Sequence, residues 1–271
     1  MDKKINTSRF YFEYKGHPIP DITTFFNIII SQRPRQPIIY LAGDSSLDNK
    51  YWLPSSSPSG KSLPVAVPDI YRAALGRPFP KADHDEFIRD HIRADDFLIV
   101  SVGANDIAMS PNFSTIWHML LLAWLTPLSS IRSGRAWALR YFVNMFKSKV
   151  ELYISKLVEK HKPKAVVVCM IYFPLEAQAA RQSSWADIPL RVLGYNTWPG
   201  RLQAAIAKMY ELATKEIEIP GVKIIPFALF EILDGKDGGD YVERVEPSVE
   251  GGRKMASQLA GIIGPLIEEE K

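Results

Sequence analysis

Hydrophobic residues fall along the chain in two alternating rhythms. Four short runs, Pro37–Ala42 (PIIYLA), Phe97–Val102 (FLIVSV), Ala165–Ile171 (AVVVCMI) and Val222–Phe227 (VKIIPF), are largely apolar on both faces and rich in β-branched residues. Proline, glycine or charge bounds each of them. That is the pattern of parallel strands covered by helices on both sides. Between them the period lengthens to that of helices. One helical pattern runs from Ala136 to His161 (Trp137, Tyr141, Met145, Ile154, Leu157, Val158) and another from Arg201 to Glu216 (Leu202, Ile206, Met209). A last one follows Ser248, a natural N-cap, through Met255, Leu259, Ile263 and Leu266. Residues 82–94 mix acid and base and read as an exposed helix holding His84 and His91. Strands alternating with helices predict an α/β protein, a three-layer α/β/α sandwich with a mostly parallel central sheet. Chemistry in such sheets sits beyond the C-terminal ends of the strands.

Two of those strand ends carry chemistry-bearing residues. The first runs straight into Gly43-Asp44-Ser45. A glycine there permits a tight turn, a serine projects from the strand's end, and the following amides can face an oxyanion. The same tripeptide also makes an ordinary polar turn in which Asp or Ser caps the next helix. The second strand runs into Gly103-Ala104-Asn105-Asp106. Asn105 can offer a side-chain amide to a developing oxyanion, and Asp106 can brace the turn. Both elbows are predicted on one edge of the sheet.

In order and framework, Gly-Asp-Ser followed by Gly-x-Asn-Asp resembles the SGNH hydrolases, or GDSL family, over about Pro37 to Gly261. The resemblance implies an α/β/α esterase or acyl hydrolase needing no metal and no organic cofactor. It makes Ser45 the nucleophile and one oxyanion donor, and Asn105 the second donor. Gly43, Asp44, Gly103 and Asp106 become supporting residues. Two departures stand out. Where the family carries Asp-x-x-His before its last helix, this chain reads Glu243-Arg244-Val245-Glu246-Pro247, with Glu246 in the histidine's place and Glu243 in the aspartate's. No histidine follows His161. The family's further strand between the elbows, which ends in a third oxyanion donor, has no convincing counterpart, so no residue takes that role.

A serine hydroxyl is a poor nucleophile without a base. By analogy with a serine protease, losing the base costs on the order of 10⁶ in kcat. Glu246 fills that role only if burial or Glu243 makes it more basic than an ordinary glutamate, with its pKa of about 4.3. As the alternative it is an acid placed before a helix N-terminus, where negative charge is favourable. His118 is the best placed of the histidines to substitute, about three helical turns after the second elbow, but a satisfied interior or helix-surface histidine fits it better, and no histidine is assigned to catalysis.

Large apolar side chains give the substrate signal. Trp117 and His118 lie in the segment 110–135, read as a lid or wall, and 172–199 is a long loop near the site. Tyr51 and Trp52 lie on the helix or loop after Ser45. Together they point to a hydrophobic small-molecule substrate, although core packing or a homo-oligomer interface explains the same residues. Composition narrows the rest. The 271 residues are 46% hydrophobic and 23% charged, with a net charge of +3 and no clustered basic footprint for nucleic acid. A single cysteine, Cys169, excludes an intramolecular disulfide and a cysteine zinc site. The greasiest run, Ile116–Leu125, is far short of the roughly 20 residues that span a bilayer. The expectation is one soluble cytoplasmic domain over residues 1–271. Three activities stay open: a hydrolase with an altered base, a non-hydrolytic relative (cyclase, isomerase or acyl transferase), and a binding protein without catalysis.

Overall fold

The computed structural model describes residues 18–43, 47, 83–108 and 112–268, apart from the side chains of residues 105 and 108. The chain enters through helix α1 (Ile19–Gln32), strand β1 (Ile39–Gly43), α2 (Asp83–His91) and β2 (Phe97–Ser101). Next come the short α3 (Ala104–Ala108), α4 (Phe113–Leu120), α5 (Leu128–Arg132), α6 (Leu139–Val143) and α7 (Val150–Leu157). Then follow β3 (Ala165–Met170), α8 (Asp187–Val192), α9 (Pro199–Leu212), β4 (Ile224–Ala228), the hairpin β5 (Tyr241–Glu243) and β6 (Glu246–Pro247), and α10 (Val249–Glu268). The four long strands form one all-parallel sheet in the order β1-β2-β3-β4.

Helices flank both faces of the sheet. On one face Tyr40, Leu98, Val100, Val166 and Val168 pack against α1, α2 and α7. On the other, Phe97, Ile99, Val167 and Cys169 pack against Met255, Leu259, Ile263 and Leu266 of α10. The central strands β2 and β3 are buried at every position. Strand β1 alternates instead, with Ile39 and Leu41 exposed. It is the outer strand among the described residues, so the apolar-on-both-faces reading holds for the middle of the sheet and not for this edge.

The local chemistry matches the elements. Ser248 caps α10, its hydroxyl accepting from Gly251 N–H at 3.1 Å. α2 is half-buried rather than exposed, setting Phe87 and Ile88 into the core. Helix α1 was not legible as periodicity. It opens on Pro18 and Pro20, a placement that suits a first turn, and three consecutive isoleucines blur its stripe. The pattern over 136–161 is one rod in three pieces: α6, a π-helical stretch Asn144–Lys149, and α7. A second π-helical stretch, Leu121–Leu125, extends α4. Among the described residues no helix is long and apolar enough to cross a membrane.

At the N-terminal edge a single carboxylate ties the sheet together. Asp96 is fully buried. It accepts from Ile38 N–H (2.8 Å), Arg93 N–H (2.9 Å) and the Arg93 guanidinium (2.8 and 3.1 Å). Its own carbonyl accepts from Lys164 N–H at 2.9 Å, which aligns the start of β3. The hydrogen bond to Asp96 raises Arg93 above its ordinary value.

Candidate functional site

The two elbows meet through register. Gly43, the last residue of β1, pairs with Ser101, the last residue of β2. A Cβ on Gly43 would lie 2.9 Å from the Ser101 carbonyl, so this close approach admits only glycine. Two residues past Ser101 the chain turns at Gly103 with φ +104°, a left-handed conformation that side chains rarely adopt. A Cβ there would also lie 2.7 Å from the Phe146 ring. The turn feeds α3, which carries Asn105 and the buried Asp106. Asp44, Ser45, Tyr51 and Trp52 lie outside the described residues, as does the side chain of Asn105.

The Glu243–Glu246 segment reaches the same edge. It is an antiparallel hairpin with Glu243 opposite Glu246, whereas the sequence reads as a loop. Its turn is moored to the loop after β3. Leu175 N–H donates to Arg244 O (2.7 Å), and Tyr172 Oη–H donates to Val245 O (2.6 Å). Arg244 is buried and reaches outward from the turn. Its Nε donates to Leu175 O (2.9 Å), and its Nη1 donates to Asn196 Oδ1 (2.7 Å) and Asp187 Oδ1 (3.3 Å). Glu243 is held by the neighbouring loop, accepting from Ser184 Oγ (3.0 Å) and Trp185 N–H (3.3 Å). Glu246 is 96% buried, with only 4% of its surface exposed.

Between the second elbow and the hairpin opens a cavity of about 410 Å³, within the range of small-molecule sites; no described residue of the first elbow lines it. Ser101 and Ala104 line it from the β2 elbow, Met170 and Tyr172 from the end of β3, and Val245 from the hairpin. Leu122 and Ala123 of one π-helical stretch and Phe146 of the other form part of its wall. Such stretches widen a helix locally and recur at functional sites. Much of the rest comes from Ile116 and Met119 of α4, from α8, and from α9 between Arg201 and Met209. The stretch 172–199 therefore contributes a helix to the wall and is not wholly irregular. Ile188 and Val192 of α8 line the cavity and are also more than half exposed, so they mark its mouth.

The lining is almost entirely apolar. Among the described residues its one charged side chain is Arg201, in the first turn of α9. Nη2 of Arg201 donates to the carbonyls of Leu122 and Thr126, closing the end of a π-helical stretch. Its Nε is buried and meets no acceptor. Sequence reasoning passed over Arg201 and Phe146, because a basic residue opening a helix reads as surface and a phenylalanine in a helical stripe reads as core. Below the loop, the Tyr195 hydroxyl is raised above its ordinary value chiefly by burial. It donates to Pro174 O and accepts from Gln203.

The remaining candidates sit elsewhere. Neither Trp117 nor His118 is part of the cavity lining. His118 Nδ1 bonds its own helix at Ser114 O (2.7 Å), and the ring stacks on Tyr141 at 4.4 Å. His91 likewise bonds Phe87 O and stacks on that ring. Among the described residues no group of three or more His, Cys, Asp or Glu side chains is arranged to hold a metal ion. No family model, no curated protein and no solved structure matches the chain.

Proposed function

We propose that this chain is an SGNH-type enzyme acting on an ester or other carbonyl group of a hydrophobic small molecule. The observation that carries the reading is the apolar cavity of about 410 Å³ whose wall includes Ser101 and Ala104, the residues flanking the second elbow. A site lined this way binds by excluding water from apolar surface, and it leaves orientation to a few polar groups. Ser45 is the nucleophile. Its hydroxyl oxygen attacks the carbonyl carbon while Glu246 takes the proton. The oxyanion is held by the Ser45 N–H and the Asn105 side chain. The alcohol leaves with that proton, and water then hydrolyses the acyl-serine. The position of Glu246 on the hairpin that supplies Val245 to the cavity wall supports its assignment as base. Arg201 Nε offers one N–H to an oxygen elsewhere on the substrate.

A second reading keeps the cavity and drops the covalent step. None of His84, His91, His118 and His161 belongs to the cavity lining, so the basic group of an ordinary serine triad has no described counterpart there. Val245 of the hairpin lines the cavity whereas its neighbour Glu246 does not; this reading requires the Glu246 carboxyl to reach a bound carbonyl compound and transfer a proton, as in a cyclase or isomerase. Intact mass after treatment with a small fluorophosphonate separates the two. A single adduct that Ser45→Ala abolishes supports the hydrolase. A folded protein that takes no adduct supports the non-covalent reading.

A further inference from the structure

We propose that the face formed by α4 and the π-helical stretch after it docks onto an anionic lipid surface, and that the hydrophobic substrate enters the cavity from that surface. The inference begins with a mismatch between pattern and burial. Residues 113–125 form one helical rod whose inner face, with Thr115, Leu122 and Ala123, is buried. A surface helix normally turns charge outward. This one turns Phe113, Ile116, Trp117, Trp124 and Leu125 to solvent, at helical spacing along one side, and carries no charged residue apart from any proton on His118. Phe113 is 83% exposed and Leu125 73%. A continuous apolar stripe of this kind marks an interaction site.

The surroundings point to lipid. Three tryptophans, Trp117, Trp124 and Trp198, stand about half exposed. Trp124 donates its indole N–H to Val192 O (2.9 Å) and meets the Trp198 ring edge-on at 5.7 Å. An indole with one apolar and one hydrogen-bonding side is the side chain that prefers the headgroup boundary. Trp137, also exposed, packs near the His118 ring. One turn further on is the exposed Arg140. From Ile107 to Val150 the chain has no aspartate or glutamate, and its full charges are Arg132, Arg135, Arg140, Lys147 and Lys149. The rod itself is uncharged and Arg140 stands at the rim of its face; a tryptophan-bearing apolar face rimmed by basic charge binds an anionic bilayer, where apolar burial and charge act together. Ile116 belongs to both the stripe and the cavity lining, and Val192 at the mouth binds Trp124, so the docked face adjoins the entrance. The supply of substrate through that entrance rests on the reading of the cavity given above; docking itself does not.

Flotation of the full chain with phosphatidylcholine vesicles, with and without phosphatidylserine, tests the docking. The expected result is flotation with the serine-containing vesicles that weakens as salt is raised. Brominated lipid should quench the indole emission of the unaltered chain. The double variant Phe113→Glu/Leu125→Glu should lower vesicle affinity at least about tenfold while leaving thermal unfolding and Ser45 labelling by a soluble fluorophosphonate unchanged. Arg140→Gln should cost about fivefold, on anionic vesicles only. Absence of flotation and of quenching in the unaltered chain overturns the proposal. So does a dimer in solution that the double variant dissociates without any vesicle binding, which would make the face a self-interface. Because flotation does not need Ser45 and labelling does not need lipid, failure of one leaves the other standing.

Discussion

The two edges of the sheet treat buried polar groups in opposite ways. At the N-terminal edge, Asp96 is fully buried and both carboxylate oxygens are used, by Ile38 N–H and by the backbone and guanidinium of Arg93. At the C-terminal edge, Arg201 Nε and Arg244 Nη2 are buried and meet no acceptor among the described residues. Arg201, though not Arg244, lines a cavity where the other edge has packed strand starts. An unsatisfied buried donor costs about 1–3 kcal/mol. Stability alone does not account for keeping such groups; the substrate proposed above would supply an oxygen to Arg201. The first edge holds the strands together, and the second leaves open the space that the proposed substrate would fill.

The largest effect should follow from breaking the satisfied edge. Asp96→Ala strands the Ile38 and Arg93 donors and the Arg93 charge, and should cost about 3–5 kcal/mol in denaturant unfolding. Next comes Gly103→Ala, which meets both a left-handed φ and the Phe146 ring and should cost about 2–3 kcal/mol. Adding Phe146→Leu should restore only the steric part, because the backbone strain remains. Ala205→Leu sharpens the comparison from the other side. Ala205 is buried and lines the cavity. Extra methyl groups there should leave stability within about 1 kcal/mol, because they fill space rather than crowd a packed core. Binding of a long-chain fluorescent fatty acid, followed by emission, should weaken at least about tenfold. The smallest effect belongs to an exposed ion pair away from both edges. Lys215→Ala, which removes the exposed 2.9 Å pair with Glu211, should leave the thermal unfolding midpoint unchanged.

Legibility in the sequence followed the same division. β2 and β3 are buried on both faces, and their uninterrupted β-branched runs were read to within a residue. Gly103 was legible as a turn residue because its φ of +104° admits little else, whereas Gly43, read as a turn, is the last paired residue of β1 and is glycine for its close approach to the Ser101 carbonyl. The cavity was not legible. Its wall is assembled from segments as far apart in the chain as Ser101, Phe146, Trp185, Arg201 and Val245, and most of its side chains are the same aliphatic and aromatic types that fill a core. The exposed stripe on α4 was hidden for a related reason. A run such as Ile116–Leu125 looks buried by composition, and only the fold shows which of its sides has no cover. The β5–β6 hairpin was missed because its strands are three and two residues long, too short to show alternation.

The central claim is that an apolar cavity holds a hydrophobic substrate against the Ser45 elbow. The most direct measurement compares the rates at which a short-chain and a long-chain fluorophosphonate modify Ser45, in the unaltered chain and in Ala205→Leu. The account predicts that the long-chain reagent reacts at least about tenfold faster, through binding in the cavity, and that Ala205→Leu removes the advantage while leaving the short reagent's rate unchanged. Equal rates for the two reagents, or a chain-length preference untouched by Ala205→Leu, would contradict it.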